Sequence, residues 1–307
     1  MTEQRTFIDE LKHQYQHGGM TIKLIMINVA VFLFINVLIV IARLLGGDLQ
    51  LFFGDLLKWV FTLNTDLSSF IVSPWGLITS IFAHYGIWHL LFNMVFLYFI
   101  GRMFEQFFDQ KRLFYTYLLA GIAGGVLEIV AHLIFPVFQS GSSVVVGASG
   151  SVMGIFMAMA FYQPQAKVHL FGMFPVRMIW LAVAFLLLDF LNLGRNDGTA
   201  HFAHIGGAII GILSIQNLNA SSNIINRVQM LGDRIQRLFS GSRSKRPKMR
   251  VDKTEKNARY KTDVEYNVEV KTRQEEVDRI LDKISKSGYD SLTKKEKEFL
   301  FNQSKNG

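Results

Sequence analysis

Cysteine is absent from the 307-residue chain, which excludes a disulfide framework, a thiolate nucleophile and a cysteine-ligated metal. Charged residues are scarce at 18%, low for a soluble protein of this length. No H-E-x-x-H sequence occurs, which disfavours an intramembrane zinc protease, and no glycine-rich loop points to a bound nucleotide. What the chain has in abundance is apolar. Hydrophobic residues make up 50% of it and phenylalanine alone fills 27 positions, with a mean hydropathy of +0.27. This is the composition of a membrane protein.

Six apolar stretches are long enough, or nearly so, to cross a hydrocarbon core of about 30 Å as helices. They cover residues 22–45, 88–100, 113–135, 146–162, 176–193 and 201–218. The second and fourth are short, so their ends are expected to be buried in protein. The polar N-terminal residues and the long first stretch, with no small-residue exit, predict an uncleaved anchor. Between the first two stretches, "LQLFFGDLLKWVF" reads as an amphipathic segment lying in the interface.

The net charge of +8 would suggest nucleic acid if it were evenly spread. It is not. Arg102, Lys111, Arg112, Lys167, Arg177 and the run from Arg227 to Arg250 all fall on one side of a six-span topology, while Lys58 and Arg195 fall on the other. The bias predicts both termini in the cytoplasm, a bilayer partner and no nucleic-acid partner. Beyond residue 220 the chain turns polar. "SRSKRPKMR" reads as a basic linker drawn to anionic lipid, "QEEVDRILDKIS" has helical periodicity, and Thr293 to Glu296 forms a capping box.

Ser149 stands out within "VVVGASGSVMGIFMAMA". Spans two, four and six enter from the outer face, so His89 and Asn93, Ser149, and His201 and His204 share one shallow layer of three helices. Polar groups at such depth usually face a bundle interior or cavity. Gly150, Gly154 and Ala158 on span four, and Ala203, Gly207 and Gly211 on span six, form small-residue ridges that let the two backbones approach. A histidine brought close in this way can take the serine proton and make a nucleophile of it. His89, Asn93 and the Ser149 backbone N–H are candidate oxyanion donors. Asp189 is placed in the far part of span five and Asp197 in a loop, so no carboxylate is expected to complete a triad. The predicted chemistry is a Ser/His dyad without metal or cofactor.

The segments "PWGLITSIFAHYGIWHLLFNMVFLYFIGRMFE", "GASGSVMG" and "AHFAHIGGAIIG", within residues 74–211, resemble the rhomboid intramembrane serine proteases in kind and order. The resemblance implies an all-α membrane protein: a six-helix bundle over residues 21–220, after an N-terminal cytosolic segment (1–20). A basic linker (221–262) and a small helical cytosolic extension (263–307) follow. It implies Ser149 as nucleophile, His204 as general base and acid, His89 and Asn93 as oxyanion partners, and structural roles for Gly101, Glu105, Trp75 and Gly147. Transmembrane proteins would be the substrates and the bacterial inner membrane the location. Two positions depart from the pattern. Gly76 follows Trp75 where the family commonly has arginine, and Met153 stands where an aromatic ring often packs on the catalytic histidine.

Helix geometry separates the two histidines independently. At 100° per residue, Gly207 and Gly211 lie about 60° and 20° from His204, but about 120° and 80° from His201. His204 is therefore expected on the close-packing face, with His201 turned aside and about 4.5 Å nearer the outer water. Glu128 and His132, at i and i+4, read as a satisfied intramembrane pair and His84 as a loop or packing histidine. A catalytically silent relative that escorts membrane proteins, and a proton-coupled transporter, are the alternative functions.

Overall fold

The computed structural model describes residues 6–138, 144–170, 173–195, 197–239 and 263–306. The chain divides into two compact units, 1–242 and 243–307. The first carries helices α1 (Phe7–His17), α2 (Gly19–Leu45), α3 (Gly47–Phe61), α4 (Leu67–Val72), α5 (Gly76–Thr79), α6 (Ile87–Phe104), α7 (Gln110–Ile134), α8 (Ser149–Tyr162), α9 (Met178–Leu191), α10 (His201–Ser214) and α11 (Ile224–Phe239). The second holds α12 (Asp263–Ser287) and α13 (Lys294–Asn306).

The molecule is mostly helical, with two small antiparallel ribbons that the apolar pattern did not signal. Strand β1 (Leu63–Asn64) pairs with β2 (Val144–Val145), and β3 (Lys167–Leu170) pairs with β4 (Phe174–Arg177). The second shortens an expected span, because residues 176–177 pair as a strand and α9 starts at Met178; α8 starts at Ser149, after residues 146–148 lead in from β2. Span six ends at Ser214 instead of residue 218. There the Ser214 carbonyl accepts from the Arg112 guanidinium at 2.7 Å and from the Asn223 amide at 2.9 Å, which satisfies a helix terminus that would otherwise carry free carbonyls.

By length and composition, α2, α6 and α7 can each cross a membrane. Helices α8, α9 and α10 are apolar but have 14 residues each, about 21 Å of helix. Helix α8 is enclosed by protein, with every residue from Gly150 to Ala160 buried. Its flanks therefore need not reach lipid headgroups.

Glycine lets α8, α7 and α10 approach backbone to backbone. A methyl group added to Gly207 would overlap the Gly150 carbonyl oxygen, and one added to Gly211 would overlap that of Gly154. On the other flank of α10, a methyl group at Gly206 would come within 2.7 Å of the Ala123 carbonyl. Polar ties join the outer helices to this centre. Asn28 of α2 donates to the Tyr117 hydroxyl of α7 at 3.0 Å, and the Glu105 carboxylate accepts from Met20 N and Thr21 Oγ1 at 2.6 and 2.8 Å. Glu105 thus supplies the cap that Gly18 cannot give to α2.

The expected linker begins as α11, which carries Ile224, Val228, Leu231 and Ile235 within about 60° of one face. Its Asp233 meets Lys111 of α7 at 3.0 Å. Residues 240–262 of that linker lie outside the described residues. In the second unit Glu296 accepts from Thr293 N at 2.7 Å, while Glu296 N lies 3.4 Å from Thr293 Oγ1, so the reciprocal cap read from the sequence is present at α13.

Candidate active site

Ser149 is the first residue of α8, and the cap position is Ala148, which has no side chain able to accept. The ordinary role of a serine at a helix start, capping its own N-terminus, therefore does not account for Ser149. Gly147 precedes it with φ of 126°, a conformation costly for any residue with a Cβ. A Cβ there would also lie 2.6 Å from Cε1 of His89. The His89 ring thus lies against the backbone that leads into Ser149. Gly147 N donates to the Ser80 carbonyl at 2.9 Å, which fixes this approach.

His89 and Asn93 share a face of α6, and the Asn93 amide donates to the His89 carbonyl at 2.9 Å. An amide nitrogen carries two N–H groups, so one remains after that bond. His84 supports the same corner. It is fully buried, its Nε2 lies 3.4 Å from Ala148 N, and its ring meets that of His89 at 5.0 Å in a T-shaped arrangement.

Helices α8 and α10 touch one residue beyond Ser149 and one before His204: a Cβ on Gly150 would lie 3.0 Å from the Ala203 carbonyl. The carboxylate surroundings of His204 differ from expectation. Asp189 Oδ1 lies 2.9 Å from His204 Nδ1 and 2.8 Å from His201 Nδ1, and Asp197 Oδ2 lies 3.1 Å from His201 Nε2. Asp189 is in the far part of α9, as read, but that end is where α10 begins. The far end of span five is the near end of the site.

His201 is 8% exposed, with its ring on Asp189 at 2.8 Å. One nitrogen of each of His201 and His204 and a carboxylate oxygen of Asp189 lie within 4.8 Å of one another, and Asp189 Oδ1 accepts from both rings. Outside the spans, the Thr199 backbone N–H and the His201 ring hold the Asp197 carboxyl below the usual carboxylate range.

Glu128 of α7 was read with His132, and its Oε1 does lie 3.6 Å from His132 Nδ1. Its other oxygen has a further partner: Oε2 accepts from Ala203 N at 3.0 Å. Met153 is buried one turn after Ser149. Ser151 is fully buried toward α7, where a Cβ on Gly121 would overlap its hydroxyl. Trp75 donates from its indole to the Trp59 carbonyl at 3.0 Å and packs edge-on against the Trp59 ring. Any side chain at position 76 would overlap the Thr62 carbonyl, which accounts for glycine where arginine is common. The segment "QSGSS", residues 139–143, lies outside the described residues.

A family model described as the rhomboid domain matches residues 72–218, and one described as a family of unknown function matches residues 260–306. RHOMBOID-like protein 12, mitochondrial, of Arabidopsis thaliana is 30% identical over 149 residues, 45% of this chain and 44% of that protein. The putative rhomboid protease YdcA of Bacillus subtilis (strain 168) is 29% identical over 143 residues, 46% of this chain and 68% of that protein. Rhomboid protease AarA of Providencia stuartii is 26% identical over 226 residues, 69% of this chain and 77% of that protein. The chain spans under half of the first of these, and 32% of RHOMBOID-like protein 4 of Arabidopsis thaliana, which it also resembles. Mitochondrial and bacterial proteins both match, which supports residence in a membrane without selecting one.

Proposed function

From the premise that the chain is a rhomboid-family protein, carrying its rhomboid domain at residues 72–218, we propose that it is an intramembrane serine endopeptidase acting through Ser149 and His204. The observation that carries the reading is the meeting of α8 and α10 at Gly150 and Ala203, beside a His204 ring whose Nδ1 already faces Asp189. That leaves Nε2 as the nitrogen able to receive a proton.

In the proposed reaction, His204 Nε2 takes the Ser149 hydroxyl proton as Oγ attacks a peptide carbonyl. The tetrahedral oxyanion is met by the Ser149 N–H at the uncapped start of α8, by the remaining Asn93 N–H and by the His89 ring. His204 then returns the proton to the leaving amine, releasing it and leaving an acyl-enzyme. A water activated by the same nitrogen hydrolyses the ester.

The substrate is a membrane protein cleaved in or near a transmembrane segment, one whose helix unwinds readily because helical backbone shields its carbonyls. The 21–220 region is proposed as a bundle of six spans formed by α2 and α6 to α10, with both termini cytoplasmic in a bacterial inner membrane. The extension at 263–307 is a separate module.

A fluorophosphonate probe and a model transmembrane substrate test the reading with the folded full-length chain in detergent. Wild type should be labelled at Ser149 and cleave, and Ser149→Ala and His204→Ala should lose cleavage to a similar extent, since coupled members of a nucleophile and base pair fail together. A folded wild-type chain that neither labels nor cleaves would assign it instead to the silent, escorting relatives.

A further inference from the structure

Asp189 sits two residues before the end of α9, and its single oxygen Oδ1 engages Nδ1 of both His201 and His204. An ionised carboxylate can only accept, so each of these nitrogens carries its hydrogen. For His204 this selects the tautomer with a bare Nε2. For His201 the consequence is different. Its Nε2 faces the Asp197 carboxylate at 3.1 Å, so the ring meets an acceptor at both nitrogens and bears two hydrogens and a positive charge. Asp189 therefore divides its field between a neutral base and a cation bound to the same atom.

We propose that Asp189 is a positioning residue for the His204 base, and that His201, bound between Asp189 and Asp197, is a counter-charge to the carboxylate that positions it. The proposal rests on the reading of His204 as general base. It makes the carboxylate, the shared oxygen and the second histidine one device, in which one charge faces His204 directly and the other offsets it.

The other titratable groups around this device are few. His89 lies on α6 against Gly147, Glu128 and its partner His132 face the start of α10 from α7, and α8 places no charged side chain there. None of these bonds to Asp189 among the described residues. Removing Asp189 or His201 therefore changes the field on His204 in opposite senses while leaving the remaining neighbours in place.

The test measures pH–rate profiles for cleavage, and for labelling of Ser149 by a fluorophosphonate, in the full-length chain in detergent. Asp189→Asn keeps the shape but removes the charge. Its acid limb should move to lower pH by roughly one unit or more, and its plateau should fall by at least about tenfold as the tautomer is released. His201→Gln should move the acid limb to higher pH and keep a plateau within about tenfold of wild type.

A purely structural role predicts lower plateaus with the limb unmoved. That result, or shifts of the same sign in both variants, would overturn the proposal. If Asp189→Asn does not fold, the upward shift in His201→Gln still decides the matter. A wild type inactive towards both probe and substrate would remove the base itself, and with it this inference, whereas an active wild type with unmoved limbs would remove only the inference.

Discussion

The carboxylate of Glu128 accepts a hydrogen bond from the backbone N–H of Ala203 at 3.0 Å, so a side chain on α7 caps α10. The cap position of α10 is Ala200, which has no side-chain acceptor. Ala203 is the third residue of α10, the place where a capping oxygen normally bonds, and His204 follows it directly. Glu128→Gln keeps an acceptor and should keep most proteolysis. Glu128→Ala leaves a buried N–H unpaired, and should cost about 1–3 kcal/mol of stability with a parallel loss of activity. Thermal unfolding and cleavage rates of the two variants check this. An inactive but fully stable Glu128→Gln would favour a proton-relay role for Glu128.

Packing between α8 and α10 gives a second expectation. A methyl group at Gly207 would overlap the Gly150 carbonyl, and backbone cannot move aside as a flexible side chain can. Gly207→Ala should therefore lower stability by about 1–3 kcal/mol and reduce kcat by parting the helices that bear Ser149 and His204. Gly54, with nothing within 4 Å of an added Cβ, is the control whose alanine variant should retain activity.

The core of this arrangement was legible because it is written at helical spacing. The ridges Gly150, Gly154 and Gly207, Gly211 recur every four residues, and those glycines do meet carbonyls of the opposite helix. The contact of Gly206 with α7 was not read, since Gly206 lies about 100° around the helix from Gly207. Asp189 and Glu128 were visible as residues, and Glu128 as the neighbour of His132, but neither as a partner of α10. Each acts across helices, and the sequence places Asp189 twelve and fifteen positions, and Glu128 seventy-five positions, from the groups they bind on α10. Following the turn from α9 into α10 would have brought Asp189 to the histidines. The ribbons of two to four residues per strand are too short to leave a readable alternation.

The second compact unit begins at residue 243, downstream of every group proposed to react. A chain ending after Gly241 should cleave a model transmembrane substrate in detergent at close to the full-length rate. Complete loss of activity in a folded truncation would make the extension part of the catalytic unit.

Within that extension, Glu296 is held down to about 2, first by the Thr293 backbone N–H and then by Lys283, whose Nζ lies 3.0 Å from both oxygens. A depressed carboxylate contributes stability that is present above its ordinary 4.5 and is lost as pH falls through about 2. Glu296→Ala should expose the start of α13 to faster amide exchange at neutral pH. The difference from wild type should shrink on acidification over that window, with proteolysis at neutral pH unchanged. An exchange difference that persists below pH 2 would mean that the carboxylate charge is not what holds the cap.

The oxyanion donors are tested by separating binding from chemistry. His89 rests against Gly147, two residues before Ser149, and Asn93 spends one N–H on the backbone carbonyl of His89. If they meet charge that exists only in the transition state, then Asn93→Ala and His89→Ala should lower kcat by about 10- to 1,000-fold and raise KM much less. Gly147→Ala should resemble His89→Ala, because a Cβ at that position displaces the ring as well as straining the backbone at φ of 126°. Combining Gly147→Ala with His89→Ala then supplies the internal check. Should displacement of the ring cause most of the loss, the double variant will be little worse than either single one, since residues sharing one contact do not add. Effects confined to KM would place His89 and Asn93 in substrate binding, and fully additive losses would separate Gly147 from the oxyanion site.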